Sequence, residues 1–167
     1  MNRRGATEAQ TASTPESATG TFRVPLRLVL DTNIWLDWLV FDDPAVMPLK
    51  SACSEGLVRI AINAACLEEL GRVLGYPEFE LDAATRNALF IKVRDCTYRV
   101  ETMLLSPLPR CPDPDDQKFL ELARDAQADW LITKDKALLS LAKKRFDGAG
   151  FKIDTPEYWL AGYSKTR

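Results

Sequence analysis

The 167 residues of this sequence include no histidine, and that absence narrows the chemistry available to the chain. Histidine is the commonest general base, the usual partner of serine and cysteine nucleophiles, and a frequent zinc ligand. The four cysteines are widely spaced and contain no Cys-x-x-Cys pair, so a thiolate zinc site is not expected either. Any catalysis by this chain would therefore have to depend on carboxylates.

Long apolar segments and a strong net charge are missing as well. No stretch is apolar enough to span a bilayer, and Arg3 and Arg4 are not followed by the apolar block of a secretory signal. We therefore expect a cytoplasmic protein with no membrane partner, whose cysteines are small core residues in a reducing compartment. The formal net charge of −2 excludes a globally basic nucleic-acid binder but permits a local basic rim.

The order of apolar and polar segments predicts one α/β domain. Residues 1–22 are small and polar and could bury little on ordering, so we expect a disordered tail there and a single domain over 23–167. Within the domain, predicted strands alternate with predicted helices, which favours a three-layer α/β/α sandwich around a mainly parallel sheet. The predicted strands are 26–31, 57–62, 129–133 and 151–154. The predicted helices are 33–40, a segment from Pro44 to 54, 64–74, 83–101, 115–126, 137–144 and a last turn after Pro156.

Two acids close apolar strands. Asp31 follows the apolar segment 26–30, and Asp135 ends the segment 130–135. Open α/β sheets bind their ligands at the carboxyl ends of the strands, which makes both residues candidates for a site. The alternative for each is that it caps the following helix, a role that aspartate performs well. The sequence leaves both interpretations open for Asp31, whereas a second strand-end acid makes coincidence less convincing.

Glu69 lies on the apolar face of a predicted helix. It shares that face with Cys66, Leu70 and Val73, where a carboxylate is costly unless another group satisfies it. Its side chain either reaches out at the edge of the core or binds a cation, and we favour the cation.

Asp116 belongs to an acidic helix start that also contains Asp113 and Asp115, and the helix dipole already favours such a cluster. Helical spacing distinguishes Asp116 from the other two, because it places Asp116 above the apolar face and turns neighbours such as Gln117 and Lys118 outward. We therefore expect Asp116 to point inward.

Convergence of these acids would define a metal site. The four candidates share a carboxylate that we expect in one pocket, and they are Asp31, Glu69, Asp116 and Asp135. Their mutual repulsion would raise their pKa values unless a cation neutralised them. Oxygen ligands alone suit Mg²⁺ or Mn²⁺, and such ions activate water for phosphodiester cleavage. The sequence thus predicts a metal-dependent phosphodiester hydrolase.

Several basic residues flank the expected pocket and are candidate substrate contacts, although ordinary surface charge is the alternative for each. These residues are Arg72, Arg110, Lys134 and Lys136.

The motifs that carry these acids resemble those of PIN-domain ribonucleases. They are VLDTN at 29–33, LEELGRVL at 67–74, DPDDQKFLELA at 113–123 and ADWLITKD at 128–135, and they match the family in order and spacing over about residues 26–160. The residues of these motifs are most similar to those of the subgroup of VapC-type toxins from bacterial toxin–antitoxin pairs.

The resemblance implies a PIN fold, a divalent metal and cleavage of single-stranded RNA. It assigns Asp31, Glu69, Asp116 and Asp135 as catalytic metal ligands, and it adds supporting polar residues at Asn33 and Thr133. It also implies a small antitoxin partner and raises a homodimer as a further expectation.

Two other functions are consistent with parts of the pattern. A catalytically inactive PIN-fold module could bind RNA or a protein, but a binder has no use for a charge cluster that lowers stability. A phosphatase of the haloacid dehalogenase type also begins with an acid after a strand. It requires a second aspartate two residues later, where this chain has Asn33. We therefore favour the nuclease and exclude the phosphatase.

Overall fold

A five-stranded parallel sheet organises the residues that the computed structural model describes, which are 24–103, 108–142 and 150–164. The strands and α-helices of these ranges follow in chain order. They are β1 (Leu26–Leu30), α1 (Thr32–Leu36), α2 (Met47–Ser54), β2 (Val58–Ile62), α3 (Ala64–Leu74), α4 (Ala83–Cys96), β3 (Thr97–Arg99), α5 (Gln117–Asp125), β4 (Trp130–Ile132), α6 (Lys136–Ala142), β5 (Lys152–Asp154) and α7 (Pro156–Ser164). The predicted tail at 1–22 and the predicted end of a helix at 143–144 lie outside the described residues.

The strand order is β3-β2-β1-β4-β5, and every neighbouring pair is parallel. The central strand β1 buries Leu28, Val29 and Leu30 almost completely, as expected for a parallel strand covered on both faces. The chain adds β2 and β3 on one side of β1 and then returns to place β4 on the other side. The boundary between β1 and β4 is therefore the topological switch point, where such sheets bind ligands.

Helices cover this sheet in the three-layer α/β/α arrangement that the sequence predicted. Helix α5 packs on β1, β2 and β4 and lies beside α3, while α2 packs on β2 and contacts α7. Within the described ranges, no helix combines the length and the apolar character that a bilayer crossing requires.

One predicted helix was wrong at its C-terminal end. The prediction ran from 83 to 101, but α4 ends at Cys96 and Thr97–Arg99 form the edge strand β3, so the sheet has five strands instead of four. The Thr97 hydroxyl donates to the carbonyl of Val93 at 2.8 Å while the backbone of Thr97 is already extended. Pairing with β2 supplies backbone hydrogen bonds that replace those of another helical turn.

The segment after β1 also differs from the single helix predicted at 33–40. Helix α1 ends at Leu36 and continues as a π-helical turn over Asp37–Phe41, which stops at Asp42 in the left-handed conformation (φ 49°). Proline-initiated 3₁₀ turns precede α2 and α5, so α5 begins at Gln117 and the predicted start at 115 belongs to the turn Pro114–Asp116.

Candidate functional site

Asp31 lies at the end of β1 with only 4% of its surface exposed. Its Oδ2 accepts a hydrogen bond from the Thr133 hydroxyl at 2.5 Å and another from the Asn33 side-chain amide at 2.6 Å. The side chain makes no capping hydrogen bond to α1, whose first backbone N–H groups are met by the Asp31 carbonyl instead. The capping alternative therefore does not explain this buried carboxylate.

Thr133 connects the two strand-end acids. It is fully buried just after β4, and its hydroxyl oxygen, while donating to Asp31, accepts the backbone N–H of Asp135 at 2.9 Å. A hydroxyl has one donor and two acceptor sites, so both bonds can form together. Asp135 itself caps α6, because its Oδ1 accepts the N–H groups of Ala137 at 2.7 Å and Leu138 at 3.2 Å. The capping interpretation thus holds for one oxygen of Asp135.

Asp116 faces these two acids from the start of α5. Burial, together with the negative charges of Asp31, Asp135 and Asp113, raises the pKa of Asp116 to about 7. Asp113 and Asp115 are exposed, and Asp113 accepts the backbone N–H of Asp115 at 2.9 Å. Of the three acids at this helix start, Asp116 is the one that the structure turns inward, as the helical spacing predicted.

The carboxylates of Asp31, Asp116 and Asp135 form an electrostatically coupled group. Burial raises the pKa of Asp31 above its ordinary value, and the charge of Asp135 adds to this effect although the Thr133 hydrogen bond opposes it. Neighbouring carboxylates that cannot all ionise freely are stabilised by a cation placed among them. The structure therefore brings three of the four predicted acids close enough to interact at the switch point.

Glu69 lies on α3 and has partners of its own. Its Oε1 accepts the Thr32 hydroxyl at 2.7 Å, and its Oε2 forms an ion pair with the Lys118 ammonium. Both side chains of the ion pair are largely buried, at 16% exposure for Glu69 and 19% for Lys118. The sequence prediction that Lys118 points outward was wrong, because α5 packs beside α3 and its second residue faces Glu69.

Thr32 and Lys118 are site residues that the sequence analysis missed. Two signals were available in the motifs. Thr32 is a hydroxyl residue immediately after a strand-end acid, and Lys118 lies two residues after Asp116 in the first turn of the same helix. Neither signal specifies a partner without the packing of α3, α1 and α5.

The basic residues predicted to contact substrate have different surroundings. The Lys134 ammonium lies 2.7 Å from Asp37 and 2.9 Å from Asp43, so a phosphate would have to compete with two carboxylates for it. Although burial opposes the effect, the hydrogen bonds that the Lys134 ammonium donates to these carboxylates raise the pKa of Lys134 above its usual value. Arg110 and Lys136 are exposed. Their contact with substrate remains a prediction.

A cavity beside Glu69 provides space next to the acids. It has a volume of about 340 Å³, and Arg72 and Lys118 contribute its cationic groups. Ala65, Glu68 and Glu69 complete its lining. Arg72 therefore shares a cavity with Glu69, one of the four predicted acids.

The donor atoms of the site suit a metal ion, but their arrangement does not yet form a binding site. The pocket offers carboxylate oxygens with raised pKa values, which is the donor chemistry of Mg²⁺ and Mn²⁺. In the part of the chain that the structure describes, however, no group of three or more Cys, Asp or Glu side chains is arranged to hold one ion. The donor set fits a hard divalent cation, and binding would require the acids to move closer together.

Interacting carboxylates at the switch point of a five-stranded parallel sheet define an α/β protein with an acidic site. The sequence profile of the PIN domain matches residues 27–137, more than half of the chain, and the chain therefore belongs to the PIN-domain family. PIN domains are generally nucleases and typically use divalent metals, which assigns this chain to the nuclease type of hydrolase. The family predicted from the four motifs is thereby confirmed.

Two relatives extend this comparison. The chain is 22% identical over 150 residues to the uncharacterized protein MJ1680 of Methanocaldococcus jannaschii, a match that covers 86% of this chain and 95% of that protein. The crystal structure of PAE2754 from Pyrobaculum aerophilum shares 18% identity and a TM-score of 0.52 over 92% of this chain and 100% of that one. The structural likeness supports the fold.

Proposed function

We propose that this chain is a metal-dependent endoribonuclease that hydrolyses phosphodiester bonds in single-stranded RNA. The observation that carries the proposal is the closeness of the buried Asp31 carboxylate to Asp116 and Asp135. Burial and the charges of these neighbours together raise the pKa of Asp116 to about 7. A group of carboxylates that repel one another lowers stability unless a cation joins them, so a role in binding a cation accounts for their retention.

Asp31, Asp116 and Asp135 would hold Mg²⁺ or Mn²⁺, with Glu69 as the fourth acid. When bound, such an ion lowers the pKa of a water molecule and stabilises the charge that develops on a phosphate. Thr133 and Asn33 fix the orientation of Asp31 through its Oδ2 atom. Backbone N–H groups of α6 fix Asp135 through Oδ1. Among the described residues no group of such acids is yet arranged around one point, so these acids would have to move closer together to surround an ion.

Arg72, Arg110 and Lys134 are the proposed contacts to the phosphates of the RNA. Arg72 is supported by its place in the cavity beside Glu69. Lys134 would need to exchange at least one of its carboxylate partners, Asp37 or Asp43, for a phosphate.

The biological role extends the proposal further. The resemblance of the motif residues to those of VapC-type toxins supports a toxin of a bacterial toxin–antitoxin pair that acts in the cytoplasm. Such a toxin would have a small antitoxin partner and would form a homodimer. The four free cysteines are consistent with a reducing compartment.

A catalytically inactive PIN-fold module that binds RNA or a protein is the second candidate. The ion pair between Lys118 and Glu69 favours it, because one of the four acids is neutralised by the protein itself.

The deciding experiment is cleavage of labelled single-stranded RNA by the full chain with Mg²⁺, with Mn²⁺ and with a chelator. We expect metal-dependent cleavage that falls by at least about a hundredfold in Asp31→Asn and in Asp116→Asn. Asp115→Asn is the matched control, since this exposed acid belongs to the same turn as Asp116 and should keep full activity. Well-folded protein that cleaves no RNA with either ion would favour the binding module.

A further inference from the structure

The ammonium of Lys118 already occupies a place at the edge of the carboxylate pocket. It contacts Oε2 of Glu69 and also the backbone carbonyl of Asp115, and it lies 5.0 Å from the centre of the Phe119 ring. The side chain is 19% exposed, so most of its length packs within the protein. A lysine held by a carboxylate, a carbonyl and an aromatic ring has a defined position.

Lys118 and Asp116 lie at the same helix start, so the cation stays close to the acids of the pocket. The positive charge of Lys118 opposes the repulsion that raises the pKa of Asp116. It also acts on the thiol of Cys66, whose pKa burial raises to about 12. One ammonium therefore partly neutralises a site that otherwise collects negative charge.

We propose that Lys118 is an internal counter-ion of Glu69 that competes with the divalent cation for this carboxylate. The inference depends on the proposed metal site and assigns Lys118 as a positioning residue that acts through Glu69. While Lys118 holds Oε2 and Thr32 holds Oε1, Glu69 stays in place without a metal ion. Glu69 becomes a ligand when the ammonium moves away.

The cavity beside Glu69 gives the ammonium somewhere to go. Lys118 lines this space of about 340 Å³ together with Arg72 and Glu68. The exposed carboxylate of Glu68, which lies on α3 next to Glu69, is an alternative partner for the ammonium. Solvent can reach the cavity. Exchange of partners would therefore move a flexible side chain over a short distance and leave the helices in position.

The test is the affinity of the full chain for Mn²⁺, measured by calorimetry without RNA. Lys118→Met should bind Mn²⁺ about fivefold more tightly than the wild-type chain, because a partly buried ion pair worth about 1 kcal/mol no longer competes. Lys118→Gln provides a second, polar substitution and should also bind more tightly. Lys152→Met is the matched control, since Lys152 contacts the Trp130 ring at the amino end of the strands and its loss should leave the affinity unchanged.

A double-mutant cycle with Glu69→Gln separates action through Glu69 from general electrostatics. In the Glu69→Gln background, Lys118→Met should no longer tighten Mn²⁺ binding. In the parent chain, Lys118→Arg keeps the positive charge and should therefore keep the wild-type affinity. An equal gain in both backgrounds would overturn the inference, and so would unchanged affinity in Lys118→Met and Lys118→Gln. If the wild-type chain binds no Mn²⁺ at all, the inference fails together with the proposed metal site. If the wild-type chain binds Mn²⁺ and cleaves RNA, a failure of the predicted affinity changes in the Lys118 variants counts against the inference alone.

Discussion

The two sides of the acidic pocket satisfy their carboxylates in different ways. On the strand side, which comprises Asp31, Asn33, Thr133 and Asp135, neutral hydroxyl, amide and backbone N–H groups donate to the acids. On the helix side, which comprises Thr32, Glu69 and Lys118, an ammonium balances the charge. The strand side is oriented while its negative charge remains, whereas the helix side is oriented and neutralised.

This difference shows how one pocket can combine readiness for a cation with stability in its absence. Neutral donors fix the geometry of a carboxylate without cancelling its charge, so the carboxylate can still attract an ion. An ion pair removes the charge and must be broken first. We therefore expect the strand side to dominate cation binding and the helix side to adjust it.

The largest difference in stability is expected from a matched pair of hydroxyl deletions. Thr133→Val leaves the buried Asp31 carboxylate without one donor and the N–H of Asp135 without its acceptor, and should lower the free energy of unfolding by about 2–3 kcal/mol. Thr32→Val removes one bond to a carboxylate that keeps its lysine, and should lower it by about 1 kcal/mol. Chemical denaturation of both variants measures the two values. Equal losses of unfolding free energy in the two variants would contradict a difference between the strand side and the helix side.

The pH dependence of stability in metal-free protein should report on Asp116 and its acidic neighbours. The pKa of Asp116 is about 7 in the folded chain and 3.8 ordinarily, so the folded chain binds a proton more tightly than the unfolded chain. The stability that this proton contributes is complete below pH 4 and is lost as the pH rises towards 7. The raised pKa of Asp31 acts in the same direction.

Asp116→Asn should therefore flatten the decline in melting temperature between pH 4 and 8 when a chelator is present. Above neutral pH the variant should melt higher than the wild-type chain, although it loses cleavage activity. Asp115→Asn, whose carboxylate is exposed, should keep the wild-type pH profile. A parallel profile for Asp116→Asn would contradict the proximity of the three acids.

The smallest effect is expected at the basic residues around the pocket. Arg72→Gln should reduce the salt dependence of RNA affinity by about 0.7 in the slope of log K against log salt, the value for one phosphate contact on a single strand. Lys134→Met should change that slope less, because its ammonium is shared with Asp37 and Asp43. Fluorescence anisotropy with an uncleavable RNA in chelator measures both. A larger change at Lys134 than at Arg72 would contradict this order of contributions.

Much of the fold was predictable because local patterns and tertiary packing agree. The apolar run before Asp31 predicted a strand, and the same reasoning placed Asp135 after another strand, which the structure pairs with β1. The helical spacing that turned Asp116 inward also corresponds to the structure.

The errors occur where partners distant in sequence decide the outcome. Residues 97–99 continue a helical pattern, and only pairing with β2 makes them a strand. Lys118 looks like a surface lysine until α3 brings Glu69 to it. Hydrogen bonds such as that from Thr133 to Asp31 join residues 102 positions apart, which no short motif can specify.

The most direct test of the central claim, that the strand-side acids and Asp116 form one divalent cation site, is the location of Mn²⁺ by anomalous scattering in crystals of the full chain. We predict an anomalous peak in contact with the carboxylates of Asp31 and Asp116 and close to Asp135, which disappears in Asp116→Asn. The claim would be contradicted if crystals soaked at Mn²⁺ concentrations that support RNA cleavage showed no peak in the pocket, or a peak bound only by residues elsewhere.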